Sequence, residues 1–138
     1  MRINAFILAF AAVFSTPALA ENRTHRVVFE FTGMPKEESW IGILNNLENV
    51  KREFGGEAAL ELVAHGPGIE LLLKKNTLAA ERLRALSAAG IAIHACNNTL
   101  TRKQIPRSEL FDFVTVVPSG IGQVVKRQEE GWAYIKVG

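Results

Sequence analysis

The chain has 138 residues, 48% of them hydrophobic and 22% charged, with one cysteine and a formal charge of +2. That length suits one compact domain, and the mixed composition excludes a disordered, collagen-like or low-complexity chain. A single cysteine excludes an internal disulfide framework and an all-cysteine metal cage. The even charge balance excludes the one-signed field typical of proteins that bind nucleic acid or membrane surfaces.

Residues 1–20 open on Met-Arg, continue through an apolar run from Ala5 to Phe14, and end on the small residues around Ala18 and Ala20. A basic start, an apolar centre and a small-x-small ending predict a secretory signal peptide, cleaved after Ala20. The run is shorter than the roughly 20 residues that span a bilayer. Residues 21–138 are therefore expected as one exported domain, periplasmic or secreted, with no membrane segment after signal removal.

Taken in chain order, Arg26 to Thr32 is β-branched and aromatic and predicts a first strand. A helix follows from Glu37, with Trp40, Ile43, Leu44, Leu47, Val50 and Phe54 on one stripe and Gly55-Gly56 at its end. Ala59 to Ala64 predicts the second strand, turned by His65-Gly-Pro-Gly68 into a short helix ending near Asn76. Thr77 is the expected cap of the next helix, which carries Leu78, Leu83 and Leu86 and stops at Gly90. Ile91 to Ala95 is the third strand, followed by a short helix from about Asn98 to Lys103 and a helical turn near Ser108 to Asp112. Phe113 to Val117 is the fourth strand. A helix opened by Pro118-Ser-Gly-Ile-Gly122 reaches Glu130, and Trp132 to Val137 closes the chain as the fifth strand. Strands alternate with helices, and two strands are nearly continuous apolar runs, so both sheet faces are covered. The expected fold is a single three-layer α/β domain around a mostly parallel sheet of about five strands.

In such a sheet, ligands bind beyond the carboxyl ends of the strands. Three strand-to-helix loops share that rim: His65-Gly-Pro-Gly68, Cys96-Asn-Asn-Thr99 and Pro118-Ser-Gly-Ile-Gly122. Each presents free backbone N–H groups at a positive helix end, which suits an anion or a thiolate. Cys96 is the candidate reactive residue, because N–H groups of Asn98 and Thr99 at a helix start lower a thiol pKa. The competing reading is a buried small hydrophobe. His65 can donate to a ligand, serve as base to Cys96, or cap its own turn. Gly66, Gly68, Asn97, Asn98, Thr99, Ser119 and Gly120 complete the candidate ligand-binding rim. His94 shares a strand face with Cys96, but no metal-ligand spacing supports a metal site. The absence of a P-loop and of GxGxxG argues against a nucleotide, so no cofactor is expected. Ser119 lacks the glycine two residues before it that a nucleophile elbow requires, Val117 standing there, and reads as a helix N-cap.

Four stretches, in this order, resemble the DsrE/DsrF-like family, which includes the TusD and YchN proteins. They are His65-Gly-Pro-Gly-Ile69, Gly90-Ile-Ala-Ile-His-Ala-Cys96, Val117-Pro-Ser-Gly-Ile-Gly-Gln123 and Gln128-Glu-Glu-Gly-Trp-Ala-Tyr-Ile135. The resemblance runs from about Arg26 to Val137. It implies a flavodoxin-like parallel-sheet fold assembling into a homo-oligomer, a trimer or hexamer, or with related subunits. In sulfur-relay members a cysteine at the end of a central strand carries sulfur as a persulfide, and Cys96 falls at that position. The partners so implied are a sulfur donor or acceptor protein, or a small sulfur anion. The relay members are cytoplasmic, whereas this chain is expected to be exported, and the Asn-Asn-Thr-Leu after Cys96 differs from their Ala-rich run. The alternative is a non-catalytic oligomeric binding or assembly module in which Cys96 is structural.

Overall fold

The computed structural model describes residues 25–138; the expected signal peptide lies outside the described residues. Five strands, β1 (His25–Phe31), β2 (Ala58–Ala64), β3 (Ala92–Cys96), β4 (Thr115–Val117) and β5 (Ala133–Val137), alternate with four helices. The helices are α1 (Glu37–Phe54), α2 (Thr77–Ala88), α3 (Asn97–Lys103) and α4 (Gly120–Glu129). Short 3-10 segments at Gly55–Glu57, Gly66–Leu72 and Arg107–Glu109 complete the described elements. All strand pairs are parallel, in the order β4-β3-β2-β1-β5.

That order determines which face each helix covers. The chain steps one way from β1 to β4, then returns across the sheet to lay β5 against the far side of β1. Right-handed crossovers therefore put α1, α2 and α3 on one face and α4 alone on the other. Strand residues alternate accordingly. Val27, Phe29, Phe31, Leu60, Leu62, Ala64, Ile93 and Ala95 join Ile43, Leu44, Leu47, Leu83 and Leu100 in the main core. Each large side chain fully buried there contributes about 1.5–3 kcal/mol. Beneath α4 the apolar cluster is small: Val28, Val63 and Val124, with Trp132 packed against them. Other inward positions of that face are polar, including the buried Glu30 and Glu61.

Local chemistry explains most boundaries. Glu37 and Glu38 open α1 and Lys51 and Arg52 close it, matching the helix dipole, and Gly55 ends it at φ 57°. Three expectations are corrected. Asn76, not Thr77, caps α2, its side chain accepting from the Ala79 N–H; Thr77 is the first helical residue. The segment after His65 is a 3-10 turn, Gly66–Leu72, with Pro67 near its start, rather than a helix reaching Asn76. Leu78 does not join the core: it is 40% exposed, while Leu83 and Leu86 are buried.

Candidate functional site

Cys96 is the last residue of β3 and pairs with Val117 of β4. On the other side, Ala95 pairs with Ala64, so the next residue of that chain, His65, stands level with Cys96. Both side chains fall on the α4 face. Between them lies Gly120, the first residue of α4. A Cβ there would sit 3.1 Å from the Cβ of Cys96 and 3.2 Å from that of His65. Any side chain here would press on both residues, so a glycine suits this close approach of the helix start.

The backbone N–H groups of Gly120, Thr99 and Asn98 and the Thr99 hydroxyl surround the Cys96 sulfur and favour its thiolate. The residue is 5% exposed. Burial pushes the thiol pKa up, but these donors outweigh it and leave the pKa below its ordinary value. The Thr99 oxygen in turn accepts the Gly66 N–H at 3.0 Å, which ties the His65 loop to the cysteine loop.

His65 Nε2 lies 2.7 Å from Glu30 Oε1. The second carboxylate oxygen accepts from the Tyr134 hydroxyl. Burial raises the pKa of Glu30, yet the bonds from Tyr134 and His65 and the charges of His65 and Lys136 bring it below the usual carboxylate value. Glu30 is therefore ionised at neutral pH, and the imidazole Nε2 carries the donated hydrogen. The same bond pushes the Tyr134 hydroxyl up to about 12, with burial acting in the same direction.

Deeper under α4, Glu61 is 1% exposed. It accepts from Gln123 Nε2 at 2.6 Å and from Arg127 Nε at 2.7 Å. His94 Nε2 stands 3.3 Å from it without hydrogen-bond alignment. Burial would raise the Glu61 pKa; His94, Gln123 and Arg127 override that and bring it down to about 2. Arg127 also stacks over the Trp132 ring at 4.7 Å. This cluster clamps α4 to the sheet, and with it the Gly120 N–H that reaches Cys96.

The structure thus gathers Cys96, Thr99, Gly120, the Asn98 backbone and His65 in one place, with Gly66 joined through Thr99. The other rim candidates face elsewhere. The Asn97 side chain accepts from Arg107 Nη2 at 3.3 Å. Gly68 packs under the rim, where a Cβ would lie 2.3 Å from the Phe31 carbonyl oxygen. Ser119 is the N-cap of α4, its Oγ accepting the Gly122 N–H at 3.0 Å. His65 does not cap its own turn with its side chain. Among the described residues no group of three His, Cys, Asp or Glu side chains could hold a metal ion. Glu30, Tyr134, Glu61, Gln123 and Arg127 were not expected at or beneath the site. For Glu30 and Glu61 the signal is a charged residue inside an apolar strand, at Val-Phe-Glu-Phe and Leu-Glu-Leu.

Comparison with known proteins agrees with this architecture. MTH1491, a protein of unknown function from Methanobacterium thermoautotrophicum, is 31% identical. It superimposes with a TM-score of 0.75 over 81% of this chain and 98% of its own. YchN from E. coli is 14% identical, with a TM-score of 0.71 over 81% of this chain and 98% of its own. BT1422 from Bacteroides thetaiotaomicron, a conserved protein of unknown function, is 14% identical and scores 0.66 over 83% and 97%. No curated protein matches the chain by sequence. The sequence profile of the DsrE/DsrF-like family matches residues 25–137, and the chain belongs to that family.

Proposed function

We propose that this chain is an exported, periplasmic sulfur-handling protein in which Cys96 accepts sulfur as a persulfide and passes it on. The observation that carries the reading is the convergence of three backbone N–H groups and one hydroxyl on the Cys96 sulfur. Such donors favour the thiolate, the form that attacks sulfur. Membership of a family with sulfur-relay members supports it, and the signal-like residues 1–20 support export. With thiosulfate as donor, the thiolate attacks the sulfane sulfur, the donor's S–S bond breaks, and sulfite leaves with the electron pair. A persulfide anion remains on Cys96, and an acceptor thiolate removes its outer sulfur in the reverse sense. The oxyanion of such a donor suits the helix N-termini around the site.

The chain is further proposed to work as a homo-oligomer. The outer face of α4 carries Ile121 and Val125, 51% and 45% exposed, and the edge strand β5 carries Ile135, 37% exposed, on the opposite face of the sheet. An open strand edge beside exposed apolar residues fits a second copy of the chain.

One observation favours the rival reading of a non-catalytic assembly module: Cys96 is 5% exposed. Thiol-labelling rates separate the two. The sulfur-handling reading requires native Cys96 to react with a small alkylating agent faster than a free model thiol at neutral pH. Labelling only after denaturation would make the cysteine a packing residue.

A further inference from the structure

Tyr134, Glu30, His65 and Cys96 come from β5, β1, the end of β2 and β3, on the sheet face that α4 covers. They form a diagonal row that runs from Tyr134, level with Val28, to Cys96 at the carboxyl end of β3. Each neighbouring pair is in contact or flanks a common residue: Tyr134 and His65 both donate to Glu30, while His65 and Cys96 flank Gly120. Glu30 is 5% exposed. An isolated carboxylate is costly to bury, so its retention calls for partners that need its charge. One partner is the imidazole beside the thiol.

We propose that Glu30 acts on Cys96 through His65. The carboxylate, steadied by the Tyr134 hydroxyl, holds the imidazole in one orientation beside the cysteine, with its hydrogen on Nε2. Glu30 and Tyr134 are then positioning residues, and His65 is the group that meets the cysteine's field. The inference rests on the reading of Cys96 as a thiolate.

The opposing effect is the direct repulsion between the Glu30 charge and the thiolate. β1 and β3 are separated by β2, so at about 4.8 Å per strand the two groups lie roughly 10 Å apart. His65 is on the intervening strand and level with Cys96, so its effect is the larger. The other charged groups on this face are Lys136, which pairs in register with Glu30, the Glu61, His94 and Arg127 cluster deeper under α4 with Glu130 on Arg127, and Arg26 near the end of α4. All of them are left in place by the variants below.

The test is the ultraviolet titration of the Cys96 thiolate in the full chain, each variant read against its own Cys96→Ala counterpart. It needs no sulfur donor, so its failure is distinct from the failure of sulfur transfer. Glu30→Gln keeps the side-chain shape and removes the charge, and the thiolate midpoint is expected to rise by about one unit. In a His65→Gln background the same change is expected to add nothing, because the route through the imidazole is gone. Tyr134→Phe, at a site 40% exposed, leaves the fold intact and is expected to raise the midpoint by less. An unmoved or lowered midpoint in Glu30→Gln would overturn the relay, as would an equal shift in both His65 backgrounds. Should Glu30→Gln not fold, an unmoved Tyr134→Phe titration overturns it alone.

Discussion

The backbone N–H of Gly120 faces the sulfur of Cys96 and lowers its thiol pKa, although the two residues come from different loops and are joined only through the packing of α4 on the sheet. The contact exists because position 120 has no side chain. Gly120→Ala would set a Cβ 3.1 Å from the Cβ of Cys96, closer than packed carbons ordinarily sit. The gain in helix propensity, up to about 1 kcal/mol, partly offsets an overpacking cost of about 1–3 kcal/mol. The expected variant is folded and slightly less stable, with a Cys96 thiol that titrates at higher pH. Denaturant melts and thiolate titration check both parts.

Thr99 couples the cysteine to the His65 loop. Its hydroxyl favours the Cys96 thiolate and its oxygen accepts the Gly66 N–H. Thr99→Val keeps the shape and strands the Gly66 donor, at a cost of about 1–3 kcal/mol. Global stability should fall by that amount, the Cys96 pKa should rise, and the Gly66 amide should exchange faster by hydrogen exchange.

How far the sequence reveals this arrangement depends on the range of the interactions. Cys96, Ser119 and Gly120 are legible because a strand end, a turn and a helix start follow one another within a few residues. The α1 stripe is legible for the same reason, its period being local. The bond between Glu30 and Tyr134 joins residues 104 positions apart. It depends on β5 returning to pair with β1, which no local pattern specifies. Glu61 is hidden in the same way: its partners Gln123 and Arg127 lie on a helix 62 and 66 residues later. The Asn76 cap was missed because Asn and Thr are both good caps, and only the turn's geometry chooses between them.

Glu61 makes stability depend on acid. Its pKa is lowered in the folded chain from an ordinary value of 4.5 to about 2. A depressed folded pKa means that the stabilisation is present above the unfolded value and lost as the pH falls through the folded one. The shift corresponds to about 3 kcal/mol. Stability should therefore decline between about pH 4.5 and 2, with Glu30 and Glu48, also lowered, contributing in the same direction. Glu61→Gln should be less stable than wild type at neutral pH and show a flatter decline in acid, as measured by denaturant unfolding across that range.

The exposed face of α4 supplies a test of assembly. Ile121→Asp with Val125→Asp alters two outward positions and should leave the fold unchanged by circular dichroism. If a second copy covers this face, sedimentation should report a smaller species than for wild type. An unchanged sedimentation coefficient would remove this face from the interface.

The central claim is that Cys96 carries sulfur. Intact-protein mass spectrometry after incubation with thiosulfate or a polysulfide measures it most directly. The account predicts an adduct of one sulfur atom on Cys96, absent from Cys96→Ala and removed by a thiol reductant. An unmodified Cys96, under conditions where a control thiol gains the sulfur, would contradict it.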